Sequence, residues 1–169
     1  MKIFIAGPRA ISNLNINVQN RLWNICNNGF TVFIGDANGV DTAVQKYLSQ
    51  INYRNVRVYA SNGKARNNHG NWPIENISVP QHIRKFDFYS MKDKAMAANA
   101  DYGFMLWNGE SRGTLNNLVN LLNVNKKSLL YLHPYNVFHC VDNFNKLEKI
   151  LLSSPYKTRT MFYELRKNL

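Results

Sequence analysis

The sequence predicts an α/β fold: a mostly parallel sheet with helices packed against it. Three observations carry that prediction. Short apolar runs alternate with stretches of helical periodicity along most of the chain. Glycine-bearing turns follow three of those runs, at Gly7, Gly35 and Gly109. A length of 169 residues with 45% hydrophobic residues suffices for one domain with a real core and is short for two. The expected organisation is a single domain over residues 1–169. It carries an irregular insertion at 61–90 and a helical C-terminal extension at 142–169, with no internal repeat or linker.

Each element follows from its residues. Lys2 to Ala6 is apolar and stops at Gly7-Pro8-Arg9, so it reads as a strand. Leu14, Val18, Leu22 and Ile25 set a helical stripe over residues 13–27, and Asn28-Gly29 ends it, with Gly suited to a left-handed C′ position. Thr31 to Ile34 is a second buried strand. Gly35-Asp36-Ala37-Asn38-Gly39-Val40-Asp41 turns into a helix whose apolar face is Val40, Ala43, Val44 and Leu48, with Asp41 as cap or first residue. Val56, Val58 and Ala60 alternate as a third strand.

From Ser61 to Ser90 the pattern fails, and so long an irregular stretch reads as a lid or binding loop. Met91 to Ala100 returns to helix, and Tyr102 to Trp107 is the next strand. Asn108-Gly109-Glu110-Ser111-Arg112-Gly113-Thr114 is a second glycine-rich turn. Leu115, Leu118, Val119 and Leu122 place a helix directly after it. Ser128 to Leu132 is a strand stopped by His133-Pro134, and Val137 to Val141 adds an edge strand. Asp142 caps a helix reaching Leu152, Pro155 breaks it, and Thr158 to Lys167 forms a last amphipathic helix.

In parallel α/β sheets, ligands bind beyond the carboxyl ends of the strands. Gly7-Pro8-Arg9, the turn from Gly35 to Asp41 and the turn from Asn108 to Thr114 all lie on that edge. Glycine lets backbone approach a ligand closely. The N–H groups of Gly113 and Thr114, opening a helix, suit phosphate oxygens, and the Ser111 and Thr114 hydroxyls add hydrogen bonds. Arg9 can hold phosphate bidentately or form a surface ion pair; Thr114 can serve a ligand or act as an ordinary N-cap. In the irregular stretch, Arg66, Asn68 and Trp72 fit a base-stacking, ribose-binding loop, or a surface loop anchored by Trp72. Lys92-Asp93 begins a helix aimed at the same edge. Asp93 is the candidate catalytic carboxylate, or a helix-start charge favoured by the dipole.

The net charge of +11 favours anionic partners: nucleotides, nucleic acid or acidic proteins. It is spread over Arg54/Arg57, Lys64/Arg66, Arg84/Lys85, Lys126/Lys127 and Lys157 to Lys167 rather than gathered in one tract. No apolar run is long enough for a bilayer, and the first residues are too briefly apolar for a secretion signal, so a cytoplasmic location with no membrane partner is expected. Cys26 and Cys140 lack partner motifs and read as reduced thiols in apolar surroundings. His69, His82, His133 and His139 lack metal spacing, so neither a metal nor a cofactor is expected.

Four motifs in order carry a resemblance. They are Gly7-Pro8-Arg9 after the first strand; Gly35-x-Ala37-x-Gly39-Val40-Asp41 after the second; a helix from Lys92 running into Ala100-Asp101-Tyr102-Gly103; and Ser111-x-Gly113-Thr114. Over roughly residues 1–132 the chain resembles the SLOG superfamily, which includes the DNA-processing protein A domain, the Lonely Guy phosphoribohydrolases and ligand-sensing domains of bacterial immunity. The resemblance implies a Rossmann-like three-layer sandwich and a nucleotide or nucleotide-derived ligand at Gly7, Arg9, Gly35, Asp36, Gly39, Asp41, Gly109, Ser111, Gly113 and Thr114. It also implies a homo-oligomer, a dimer or higher.

The departure from the superfamily matters as much. Its phosphoribohydrolases, and the related deoxyribosyltransferases, look like Gly-Thr-x-x-Glu at the last turn; here Asn117 stands at the Glu position. An amide cannot act as carboxylate nucleophile or base, but it can hydrogen-bond a ribose hydroxyl. The Arg expected in the fourth helix is also changed, with Lys92 and Lys94 nearby. The expected function is therefore binding of a mononucleotide, an ADP-ribose-like molecule or a cyclic nucleotide signal, as a sensor or sequestering protein. The alternatives are an N-glycosidase-type hydrolase using Asp93, and a single-stranded nucleic acid binder using Trp72 and Phe86 as stacking surfaces.

Overall fold

The computed structural model describes residues 1–83 and 85–167. Arg84 and the Lys85 side chain, one of the basic pairs above, lie outside the described residues, as do the last two positions of the 142–169 extension. The elements are β1 (Lys2–Ala6), α1 (Ile16–Asn27), β2 (Thr31–Ile34), α2 (Val40–Gln50), β3 (Val56–Ser61), β4 (Ile74–Ile77), α3 (Lys85–Asn99), β5 (Tyr102–Trp107), α4 (Arg112–Asn123), β6 (Ser128–Leu132), β7 (Val137–Val141), α5 (Phe144–Leu151) and α6 (Tyr156–Lys167). The seven strands form one sheet in the order β4-β3-β2-β1-β5-β6-β7, parallel except for the β6–β7 pair.

The central strands read as continuous apolar runs because both faces are covered. In β1, Ile3 and Ile5 join a core with Val18, Leu22, Val44 and Leu48 of α1 and α2. Phe4 and Ala6 join the opposite core, with Met96, Leu118, Leu151 and Phe162 from α3, α4, α5 and α6. The result is the expected three-layer sandwich of Rossmann-like type. In α4 every residue from Thr114 to Leu122 is buried, so this helix is wrapped on all sides. Among the described residues, no helix is long and apolar enough to cross a membrane.

Strand order reverses between β1 and β5. From β1 the chain steps outward through β2, β3 and β4; from β5 it steps the other way. This divergence leaves a crevice beyond the carboxyl ends of the two central strands.

The stretch 61–90 differs most from expectation. It contains β4, paired parallel to β3 from Val58↔Ile74 to Ser61↔Ile77, and the first turn of α3. Three of the four β4 residues are exposed on a sheet edge, so no apolar pattern announces the strand. The β3–β4 connection uses no helix. Trp72 fills the core in its place, with its indole N–H donating to the Tyr53 carbonyl at 2.9 Å. At the other end Asn143, not Asp142, caps α5, its Oδ1 accepting from the Lys146 N–H at 2.9 Å. Asp142 pairs with the Lys146 ammonium at 2.7 Å instead. Cys26 is half-buried, and burial pushes its thiol up to about 11, but Cys140 is exposed and does not have the apolar surroundings expected of it.

Candidate functional site

The crevice holds a cleft of about 350 Å³. Its walls come from the ends of β1 and β2, the start of α3 and the start of α4. The structure brings Gly7, Pro8, Arg9, Ala37, Asp41 and Arg66 together there with Lys92, Asp93, Ser111, Arg112, Gly113 and Asn117.

The remaining expected site residues stand behind the walls. Asp36 is buried and clamps Arg66: its Oδ1 accepts from Nη2 at 2.7 Å, and its Oδ2 accepts from Nε and from the Arg66 backbone N–H, each at 3.0 Å. Burial works against the Asp36 carboxylate, yet the Arg66 hydrogen bonds and the Lys92 charge hold it below its ordinary range. Asn38 Oδ1 accepts from Asn67 and ties the same loop down. Asn68 uses both ends of its amide on the Trp72 backbone, at 2.8 and 3.0 Å. Neither Asn68 nor Trp72 lines the cleft; together they anchor the loop that presents Arg66. Asn108 Oδ1 accepts from the N–H groups of Glu110 and Ser111 and shapes the turn before α4. The Gly109 carbonyl accepts from the Thr158 hydroxyl.

The start of α4 corrects one expectation. Ser111 is the N-cap, and its Oγ accepts from the Thr114 N–H at 3.4 Å, so Thr114 is not free to bind a ligand through that group. The Arg112 and Gly113 N–H groups have no acceptor among the described residues, and both residues line the cleft. At the floor, Asn117 is 4% exposed and its Oδ1 has no hydrogen-bond partner. A buried carbonyl oxygen left unpaired costs roughly 1–3 kcal/mol, and the residue that carries this one lines the cleft.

Three guanidinium groups are held over aromatic faces. Arg66 and Arg9 stand 4.8 and 5.7 Å from the Tyr89 ring centre, and Arg112 stands 4.8 Å from that of Phe86. Tyr89, Ser90 and Met96 line the cleft and went unread in the sequence. Extending the α3 pattern back from Met91 to the aromatic cluster at Phe86, Phe88 and Tyr89 would have found the rings. That extension had no buried stripe to support it, because the first turns of α3 face the cleft.

Behind the arginines lies a buried charged cluster. Lys92 is 5% exposed and pairs with Asp93 at 2.8 Å. Asp41 is buried beside it, and its Oδ2 accepts from the Ala37 N–H at 3.1 Å. Gly35 makes the space: a Cβ there would stand 2.4 Å from Asp41 Oδ2 and 2.7 Å from Lys92 Nζ. Burial works against the Lys92 ammonium, but Asp93 and Asp41 outweigh it and hold its pKa above the ordinary lysine value. Lys92 is therefore a fixed cation, not an amine nucleophile. Burial pushes the Asp41 carboxyl up to about 6; Lys92 opposes the shift, and Asp93 and Asp36 add to it.

This shift has a sign. Between the unfolded value of 3.8 and about 6, the folded protein keeps a proton on Asp41 that the unfolded chain has lost. Stability should therefore fall as pH rises through that window, by on the order of 3 kcal/mol. Asp36, held low, acts in the opposite sense and at more acidic pH: its contribution is lost as pH falls below the ordinary carboxylate range. Urea titrations of wild type and Asp41→Asn at pH 4, 5, 6 and 7 check this. The difference between the two should change across the window; parallel profiles would refute the role given to Asp41.

Among the described residues, no group of three or more His, Cys, Asp or Glu side chains is placed to hold a metal ion. No protein-family profile matches the chain, and no curated protein matches it in sequence. Its fold is similar to that of a solved structure, DNA processing protein A from Helicobacter pylori, a protein described for its single-stranded DNA binding mode. The TM-score is 0.62 at 16% identity, over 99% of this chain and 81% of that one.

Proposed function

We propose that the cleft binds a phosphorylated nucleotide or nucleotide-derived ligand, which the protein senses or sequesters. One observation carries the reading. Arg9, Arg66 and Arg112 line one cleft with the start of α4, where the Arg112 and Gly113 N–H groups have no acceptor among the described residues. Helix N-termini favour anions and a guanidinium can take phosphate oxygens bidentately, as Arg9 can do; Arg66, with Nε and Nη2 held by Asp36, adds its charge and its remaining donors. Asn117 lines the cleft, and a rotation of its buried amide brings the unpaired Oδ1 to a ribose hydroxyl or a base N–H. A cleft of about 350 Å³ lies within the range of small-ligand sites. The four motifs that resemble the SLOG superfamily support the same placement.

Asn117→Leu tests the reading, because a structural role and a ligand role predict different results. The change removes a buried oxygen without a partner, so the melting temperature should hold or rise. Calorimetry against a panel of nucleoside 5′-monophosphates should show affinity weakened by about tenfold, the loss of roughly one hydrogen bond with a buried partner. An unchanged affinity sinks the assignment of Asn117 to the ligand.

Two further readings attach to the same cleft. Asp93, with 18% side-chain exposure, reaches the cleft beside the more deeply buried Asp41, and it is the carboxylate a hydrolytic version would use on a glycosidic bond. Free base released from a bound nucleotide, and lost in Asp93→Asn, is its signature. Single-stranded nucleic acid is favoured by the net charge of +11 and by the fold likeness to a protein described as binding single-stranded DNA. A strand spanning several cations loses affinity steeply with salt, whereas a mononucleotide does so weakly.

A further inference from the structure

A second surface, on the far side of the turn before α4, carries chemistry that the cleft does not use. The residues of α6 that face the core are Thr158, Phe162 and Leu165. The outward face shows Tyr156 at 77% exposure and Tyr163 at 46%, with Arg159 between them and Lys167 one turn beyond. Leu152, 66% exposed at the end of α5, closes one side of a groove of about 510 Å³ that runs along this stripe. Large rings left in water at helical spacing are unusual for a helix whose other face is well buried. Along α6 the charges are Lys157, Arg159, Arg166 and Lys167 against Glu164 alone. The Arg159 guanidinium stands 6.0 Å from the Tyr156 ring centre, and its Nε is buried without a partner.

We infer that this face of α6 is a binding surface for single-stranded nucleic acid, with Tyr156 and Tyr163 stacking bases and Arg159 and Lys167 meeting the phosphates between and beyond them. Alternation of aromatic faces and cations along one groove is what an unpaired strand requires, since every base offers a π-face and every linkage a negative charge. The two tyrosines lie seven residues apart on one helix, about 10 Å along its axis. Along the whole helix four cations stand against one carboxylate, which suits a polyanion and disfavours a second copy of this basic chain; in the groove itself Arg159 and Lys167 stand with Glu164, and the Tyr163 hydroxyl donates to Glu148 of α5. The Thr158 hydroxyl donates to the Gly109 carbonyl at 3.2 Å, which fixes the start of α6 against the turn that leads into the cleft. The surface does not depend on what the cleft binds.

The experiment is fluorescence anisotropy of a labelled oligothymidylate and of a duplex of equal length, with wild type, the double variant Tyr156→Ala/Tyr163→Ala, and Tyr156→Phe/Tyr163→Phe. Both positions are exposed, so the fold should survive, and circular dichroism checks it. The alanine pair should weaken binding of the single strand at least about tenfold, as expected for losing two stacking platforms. The phenylalanine pair should keep the affinity, and Arg159→Ala should lower the salt slope. Affinity of the alanine pair for a nucleoside monophosphate should match wild type. Mononucleotide binding absent in wild type, with strand binding present and lost in the alanine pair, would defeat the cleft reading and leave this one standing. Strand affinity unchanged in the alanine pair overturns it. So does equal binding of the duplex, or a sedimentation shift from dimer to monomer in the alanine pair with no effect on the strand.

Discussion

Replacing Lys92 by Met is expected to destabilise the protein by roughly 3 kcal/mol at pH 7.5, and by clearly less at pH 5. The Met side chain nearly fills the volume of the lysine stem, so the cost is electrostatic. Lys92 is almost wholly buried, paired with Asp93 and adjacent to Asp41. Removing one side of a buried ionic cluster leaves the remaining charge without compensation, which typically costs about 3–5 kcal/mol. Asp93 retains partial access to water, which puts the figure at the low end. Asp41 has an escape that Asp93 does not need: its pKa already lies at about 6, and without Lys92 it rises further. At pH 5 Asp41 is protonated and little is left to compensate. Adding Asp41→Asn to Lys92→Met should therefore recover part of the stability at pH 7.5, a coupling that a double-mutant cycle reads directly. A loss that is equal at both pH values, or additive in the double variant, contradicts this picture of the cluster.

Gly39→Ala is expected to cost about 3 kcal/mol or more and to weaken ligand binding as Arg9→Ala does. Gly39 has φ +83 and ψ −127, a conformation essentially limited to glycine. It also meets another turn. A Cβ there would stand 2.4 Å from Arg9 Cα and 2.5 Å from the Arg9 carbonyl oxygen. Backbone cannot rotate aside as a side chain does, so the β1–α1 and β2–α2 turns must part. That adds overpacking of roughly 1–3 kcal/mol to backbone strain of similar size. The displaced residue is Arg9 itself, so stability and affinity fall together. Gly29→Ala is the control. Gly29 has φ +68 but nothing within 4 Å of its missing Cβ, so only the left-handed penalty of about 1–2 kcal/mol applies. Equal losses at the two glycines, read by thermal melts, would show that the close approach to Arg9 has no energetic weight.

The same pair of turns shows how far the sequence could be read. Gly7-Pro8-Arg9, the turn from Gly35 to Asp41 and the turn from Asn108 to Thr114 were placed on one sheet edge by strand–helix alternation alone, because buried parallel strands announce themselves as apolar runs. Their roles were less legible. Asp36 and Asn38 look like ligand contacts in sequence, yet they tie down residues 66 and 67, some thirty positions away, and no local pattern encodes such a partner. Trp72 looks like a stacking surface because an isolated aromatic in a polar loop carries no periodicity, and only the missing β3–β4 helix explains its burial. Strand β4 escaped notice for the converse reason, since an exposed edge strand needs no apolar alternation. Asn117 was legible as a departure from the Glu of the phosphoribohydrolases whose motifs the sequence resembles. That its Oδ1 is buried and unpaired on a residue lining the cleft required the wrapped helix α4.

The proposed function turns on a phosphate at the start of α4. Amide NMR of the protein titrated with a nucleoside 5′-monophosphate, and with the matching nucleoside, tests it most directly. The largest shifts are expected on the Arg112 and Gly113 N–H groups and on the Asn117 side-chain amide, and the nucleoside without its phosphate should leave the first two unmoved. Shifts of Arg112 and Gly113 that are equal for both compounds, or perturbations confined to residues away from α4 and the β1–α1 turn, would contradict it.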